Sequence, residues 1–260
     1  MKKISLFFIV VFIVVLALTA CSSNEPEDTG PSEPEPTAIV NVPDAPEKAD
    51  DAEEAPKEEA PVEAPEVKES EGLFDVESMV DGLEYYVLRP DDMSDSYKII
   101  SDGEQHLTNL RVINTVGEVD GKRYISATGR EDGWSLELER VHKADLIPAT
   151  ILSQLQVFQT AEGAQTAFGP DWLPAYTDEE RVANFIDEGC DLGDACLVYY
   201  FERLEPTTEV TILEYHVTFV YKNVLVDVMG RGLDFDMNPD YLVNAASIML
   251  DKIDTAQLAE

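Results

Sequence analysis

Cys190 and Cys196 bracket the run Gly-Cys-Asp-Leu-Gly-Asp-Ala-Cys, five residues lying between them. In an oxidising compartment that spacing, with glycines beside it, suits a disulfide closing a short loop, provided the Cα atoms approach within about 7 Å. Free thiols are the other state open to the pair. The spacing is not the C-x-x-C of thiol oxidoreductases, and no histidine accompanies it to complete a zinc site. Further on, Asp234, Asp236, Asn238 and Asp240 place oxygen ligands at alternate positions, a set that converges on Ca2+ if the chain turns tightly. The sixth position, glycine in an EF-hand loop, is Pro239 here, and the twelfth, a bidentate glutamate there, is Ala245. The competing reading has Asn238 and Asp240 capping a helix, with Asp234 and Asp236 solvated. A second acidic cluster, Asp187, Glu188, Asp191 and Asp194, would be drawn together by a Cys190–Cys196 bridge. The segment Thr128 to Trp134 combines glycines with Arg130 and Trp134. It suits either a pocket for an anionic or flat ligand, or a turn that puts Trp134 in the core and Arg130 in a salt bridge. His106, His142 and His216 read as surface or satisfied residues, His216 falling on the polar face of its strand beside Glu214. The chain has no G-x-S-x-G, H-E-x-x-H, P-loop or dinucleotide fingerprint, so no catalytic residue is assigned.

The third cysteine has a different context. Lys2 and Lys3 precede an apolar run from Ile4 to Ala20, which ends in Leu18-Thr19-Ala20-Cys21. A basic n-region, an apolar h-region and small residues before a cut form a secretory signal. The cysteine in register makes the segment resemble the lipobox of bacterial lipoproteins. That resemblance implies a diacylglycerol on the Cys21 thiol and cleavage before it, leaving Cys21 as the new N-terminus. Two acyl chains, at ~0.8 kcal/mol per buried methylene, anchor stably where one is marginal. The remaining chain is then expected on the cell membrane, outside the cytoplasm, with the lipid as its membrane contact.

Residues 21–71 carry that cysteine into a tether. Between Ser22 and Glu71 stand nine prolines, 17 Asp+Glu and three Lys, a net −14, without one aromatic residue. Such a composition buries too little apolar surface to offset the entropy of ordering, so a self-repelling linker is expected, with a reach of at most ~3.1 Å per residue. The whole chain carries −35, which argues against a nucleic-acid partner, because affinity for a phosphate backbone rests on neutralising it.

Residues 72–260 hold 13 Lys+Arg against 36 Asp+Glu, a net −23, and every Trp and Tyr of the chain. This is enough apolar material for one core. Leu213, Tyr215, Val217, Phe219 and Tyr221 alternate with Glu214, His216, Thr218 and Val220, the pattern of a half-buried strand. Lys222-Asn223 then predicts a tight turn into Val224 to Met229, with the asparagine taking the left-handed conformation. Trp134 to Val141, Ile151 to Phe158 and Leu197 to Phe201 read as further strands. Asp120-Gly121 and Asp132-Gly133 read as turns on either side of a strand at Tyr124 to Thr128. Thr160 predicts the cap of a short helix over AEGAQTAF, and Asp178 to Phe185 is ambiguous. Asn238-Pro239-Asp240 predicts a cap, a first-turn proline and an acid on the dipole of a terminal helix, with Leu242, Ala245, Ala246, Met249, Leu250 and Ile253 as its buried stripe. The expected class is α+β, an antiparallel sheet packed by a few helices.

This order, with FQTAEGAQTAF, LGDAC, LVYYF, the VTFVYKNVLVDV hairpin and the amphipathic end helix, resembles small extracytoplasmic α+β domains of bacterial lipoproteins, of the PsbP and Mog1 type. The resemblance implies architecture, not activity. The expectation is a non-catalytic module that binds a ligand or an envelope protein, without a cofactor unless Ca2+ binds the Asp234 set. The alternatives are a metal-dependent cell-envelope hydrolase and a structural surface spacer.

Overall fold

Strand β6 (Val210–Tyr221) and strand β7 (Val224–Leu233) form the hairpin that the alternation demands. The turn differs in one detail: Lys222, with φ 54°, and not Asn223, takes the left-handed conformation. A two-residue turn fixes the register, so Tyr221 faces Val224, Thr218 faces Asp227 and Glu214 faces Arg231. A computed structural model describes residues 72–93, 97–142, 147–178, 180–186, 190–205, 209–233, 237–256 and 258. Asp187, Glu188, Asp234 and Asp236, like Cys21 and the tether, lie outside them.

Around the hairpin the sheet grows on both sides. β7 pairs with β3 (Thr150–Phe158), β3 with β2 (Arg130–Arg140), and β2 with the edge strand β1 (Tyr97–His106). β6 pairs with β5 (Ala195–Glu205), which carries the two-residue β4 (Asn184–Phe185). The order is β1-β2-β3-β7-β6-β5-β4, antiparallel at every pairing.

Strand parity divides the core between two faces. On one face Ile151, Leu155, Val217, Phe219, Val226 and Val228 pack against helix α7 (Pro239–Ile253), whose Leu242, Ala245, Ala246, Met249 and Ile253 are buried. Each large side chain there contributes roughly 2 kcal/mol of burial. Helix α7 starts as expected: the Asn238 carboxamide oxygen accepts from the Asp240 amide, and Pro239 occupies the first turn. Two short helices, α1 (Val76–Val80) and α2 (Leu83–Tyr86), place Met79 and Leu83 in the same core. On the other face Phe158, Tyr199, Phe201, Val220 and Leu225 pack with Ala164, Ala167 and Phe168 of helix α5 (Ala161–Phe168), capped by Thr160 through the Gly163 amide.

One stretch departs from its expected conformation. Asp120-Gly121 is not a turn, and Tyr124 to Thr128 is not a strand: both lie in helix α4 (Glu118–Thr128), which follows α3 (Asn109–Val116). A Cβ on Gly121 would lie 2.7 Å from the Ile113 Cα, so the glycine is there to let the two helices touch. Gly133, expected in a turn, sits within β2, where a Cβ would meet the Leu155 carbonyl oxygen at 2.7 Å. The ambiguous segment from Asp178 to Phe185 starts at the C-cap of a short helix α6 (Pro174–Thr177) and ends in β4.

Candidate functional site

Polar side chains collect on the α5 face of the sheet. Cross-strand partners share a face, so the register lays them in rows. One row crosses six strands: Phe201, Glu214, Arg231, Thr150, Glu139 and Lys98. A parallel row carries Tyr199, His216, Met229, Leu152 and Glu137, and a third carries Thr218, Asp227, Gln154 and Ser135. Charge alternates along the first row, with Arg231 bonded to Glu214 at 2.7 Å and Lys98 to Glu139 at 2.7 Å.

Glu214 is the centre of the set. Its Oε2 accepts from Nη2 and Nε of Arg231 at 2.7 and 3.2 Å, and its Oε1 accepts from Nη1 of Arg181 at 2.8 Å. Arg181 reaches in from the segment after α6, where it also pairs with Asp178 at 2.6 Å and lies 4.0 Å over the Phe201 ring. Such stacking over an aromatic face is favourable for a guanidinium. Burial alone would push the Glu214 carboxyl up, but His216, Arg231 and Arg181 together hold it well below the usual carboxylate range.

His216 is buried, with its ring parallel to Tyr199 at 4.7 Å and edge-on to Phe201 at 5.8 Å. Its Nδ1 lies 3.2 Å from both oxygens of Asp227, and its Nε2 lies 3.5 Å from Oε1 of Glu214. Both ring nitrogens thus face carboxylate oxygens, an arrangement that suits the doubly protonated imidazolium, because a bare nitrogen lone pair on either side would be repelled. Burial works against the charge, yet Asp227 and Glu214 outweigh it and raise the pKa to about 9. The Thr218 hydroxyl donates to Asp227 at 2.7 Å. Burial and then Asp227 push the Tyr199 phenol well up, Thr218 works against them, and the hydroxyl has no partner that meets hydrogen-bond geometry. Nearby, burial raises the Glu137 carboxyl, against the pull of Arg231.

This chemistry fixes charge in place. An imidazolium clasped by two carboxylates has no lone pair with which to take a proton, so His216 is set as a cation rather than as a general base. His216 is therefore a satisfied residue, as expected, but an interior one and not a surface one. The hairpin register was the signal that would have found its partners. Once Lys222-Asn223 is the turn, Glu214 must face Arg231 and Asp227 must stand beside His216.

The other sequence candidates are scattered over the fold. Cys190 and Cys196 are joined in a disulfide with Cα atoms 5.7 Å apart. Of the nearby acids, Asp191 is exposed, whereas Asp194 is buried and accepts from the Lys222 amide at 2.6 Å. Asn238 and Asp240 make the helix cap described above. Among the described residues, no three His, Cys, Asp or Glu side chains gather as a metal site. Arg130 is buried, and it donates to neutral oxygens in place of the salt bridge expected for it: Gln156 Oε1 at 2.7 Å, Asn109 Oδ1 at 2.7 Å and the Leu107 carbonyl at 2.5 Å. It ties β2 to β3 and to the start of α3. Trp134 is partly buried against the core and against His106, which pairs with Asp132 at 2.7 Å. His142 is exposed.

Among the described residues no helix is long and apolar enough to cross a membrane. No family model matches this chain, and no curated protein matches it. Among solved structures, the extracellular domain of PknH from Mycobacterium tuberculosis is similar at a TM-score of 0.44 and 14% identity, over 67% of this chain and 95% of that one.

Proposed function

We propose that this chain is a lipid-anchored, non-catalytic module held outside the cytoplasm, and that the polar face of its sheet, between α5 and the β1 edge, binds a ligand or a partner protein. The observation that carries the reading is the charge lattice around Glu214. Its cations and anions are already paired with one another, which makes a rigid patterned surface and leaves His216 without the lone pair that proton transfer needs. Half-buried Leu152, Gln154, Glu137 and Arg231 continue that surface across the sheet. Lipidation at Cys21 would hold the module on the membrane, and the acidic linker would set its distance.

Two measurements test this. Replacement of Cys21 by serine should move the protein from the membrane fraction to the soluble one and abolish incorporation of labelled palmitate. A photo-crosslinking phenylalanine analogue in place of Leu152 should give a discrete adduct in cells, whereas the same group at exposed Asp251 on α7 should not. Equal labelling at both positions, or at neither, would remove the sheet face as the binding surface.

A further inference from the structure

The point where the linker enters the domain is bonded into the sheet through one continuous chain of contacts. Phe74 is the first deeply buried residue after the linker, at 1% exposure. The Asn223 side chain holds its backbone from both sides: the Asn223 carboxamide oxygen accepts from the Phe74 amide at 2.9 Å, and its nitrogen donates to the Phe74 carbonyl at 3.2 Å and to the Phe158 carbonyl at 3.0 Å. The Phe74 ring lies under the Lys222 ammonium at 4.6 Å and edge-on to Tyr221 at 5.6 Å. Lys222 and Asn223 are the hairpin turn, so the linker is fastened to the tip of β6–β7.

That tip is in turn held by the disulfide loop. Lys222 occupies a left-handed conformation that is strained for a residue with a Cβ. The buried Asp194 carboxylate holds it there by accepting the Lys222 amide at 2.6 Å, while the Asp194 amide donates to the Val220 carbonyl at 2.7 Å. Asp194 lies inside the short loop closed by Cys190 and Cys196. Gly193, at φ 62°, brings the loop so close that a Cβ would stand 2.3 Å from the Val220 carbonyl oxygen. The contacts run in series from the disulfide loop through Asp194, Lys222 and Asn223 to Phe74.

We propose that the Cys190–Cys196 disulfide is a redox-operated lock on the junction between the linker and the domain. Both cysteines are of intermediate exposure, so a thiolate can approach their sulfurs. The reductant is a dithiol of the thiol-oxidoreductase class. Its thiolate attacks one sulfur, the Cys190–Cys196 bond breaks, and the other cysteine leaves as a thiolate that takes up a proton. The second thiol of the reductant, as its thiolate, then attacks the reductant's own sulfur in the mixed disulfide and expels the first cysteine as a thiolate that takes up a proton, so that two electrons pass to the protein and the reductant ends as a disulfide. With the loop released, Asp194 no longer pins the strained Lys222, Asn223 loses its fixed position, and Phe74 is freed. The sheet itself remains, because the β3–β7 and β7–β6 pairings use no residue of the loop, and of the β5–β6 pairing only the Ala195 and Cys196 end lies in it.

Amide hydrogen exchange on the full chain, oxidised and after treatment with dithiothreitol, tests the lock. The Phe74 and Lys222 amides should exchange at least tenfold faster after reduction, while Leu155 and Val226 keep their protection. The double variant Cys190→Ser, Cys196→Ser should show the fast rates with and without the reductant. Asp194→Ala, with its disulfide intact, should reproduce them in oxidised protein. Unchanged Phe74 exchange on reduction, or loss of protection at Leu155 and Val226 together with Phe74, would overturn the proposal. Slow Phe74 exchange in oxidised Asp194→Ala would overturn the route through Asp194.

Discussion

His216 makes the stability of this domain depend on alkaline pH, and the size of the effect follows from its surroundings. The folded-state pKa of about 9 stands above the ordinary histidine value of 6.5 because Asp227 and Glu214 clasp the imidazolium, with Tyr199, Phe201 and Thr218 around it and Arg181 on the far side of Glu214. A raised pKa contributes stability that is fully present below about pH 6.5 and is lost as pH climbs through about 9. At 1.36 kcal/mol per pKa unit this difference corresponds to roughly 3 kcal/mol, shared with the two carboxylates that face the ring. Glu214 acts at the other end of the scale. Its depressed pKa contributes stability that is fully present above the ordinary glutamate value of 4.5 and is lost as pH falls below that. The two together place the full contribution between about pH 4.5 and 6.5. Urea unfolding from pH 4.5 to 9.5, with the disulfide intact, should show a midpoint that falls steadily above pH 6.5. His216→Gln should be less stable at pH 6 and should lose that slope. Direct titration of the ring by NMR should give a midpoint near 9. A flat wild-type profile from pH 6.5 to 9, or the same slope in His216→Gln, would refute the clasped-imidazolium account.

Further outcomes follow from other buried contacts. Arg130→Ala should cost about 3 kcal/mol or more in urea unfolding, because it strands the acceptors of Asn109, Gln156 and Leu107 in the interior. Gly163→Ala should destabilise α5 although alanine is the better helix former, since its Cβ would lie 2.0 Å from the Thr128 carbonyl oxygen; a rise in melting temperature would count against that contact. Asn223→Ala should lower thermal stability by about 2 to 3 kcal/mol and expose the chain to proteolysis near Phe74, because three backbone groups lose their partner. Intact resistance to trypsin and chymotrypsin would show that its ring and its bridge to Leu258 suffice to hold Phe74.

Elements whose local preferences agree with their packing were legible in the sequence. Helix α7 has its cap, first-turn proline and apolar stripe in one place, and the β6–β7 hairpin has strict alternation around a two-residue turn. The α3–α4 pair was not legible because Gly121 looks like punctuation, while its real cause is a neighbouring helix that the local sequence does not reveal. Arg130 reads in the sequence as a cation for a salt bridge or an anionic ligand, yet its partners Asn109 and Gln156 come from α3 and β3, far along the chain. The site was half legible. Period-two alternation put His216 and Glu214 on the polar side of β6, but burial of that side depends on α5 and on Arg181, and neither enters a periodicity. The hairpin arithmetic that pairs Glu214 with Arg231 needed only the turn, and the turn was in view.

Phe74 forms an isolated antiparallel bridge with Leu258, so backbone from near both ends of the described domain runs side by side. A group attached at residue 258 would therefore sit beside the backbone of Phe74. The same adjacency makes the domain transplantable: spliced between two neighbouring residues of a host loop, it would ask that loop to open only by the width of one strand pair, about 5 Å.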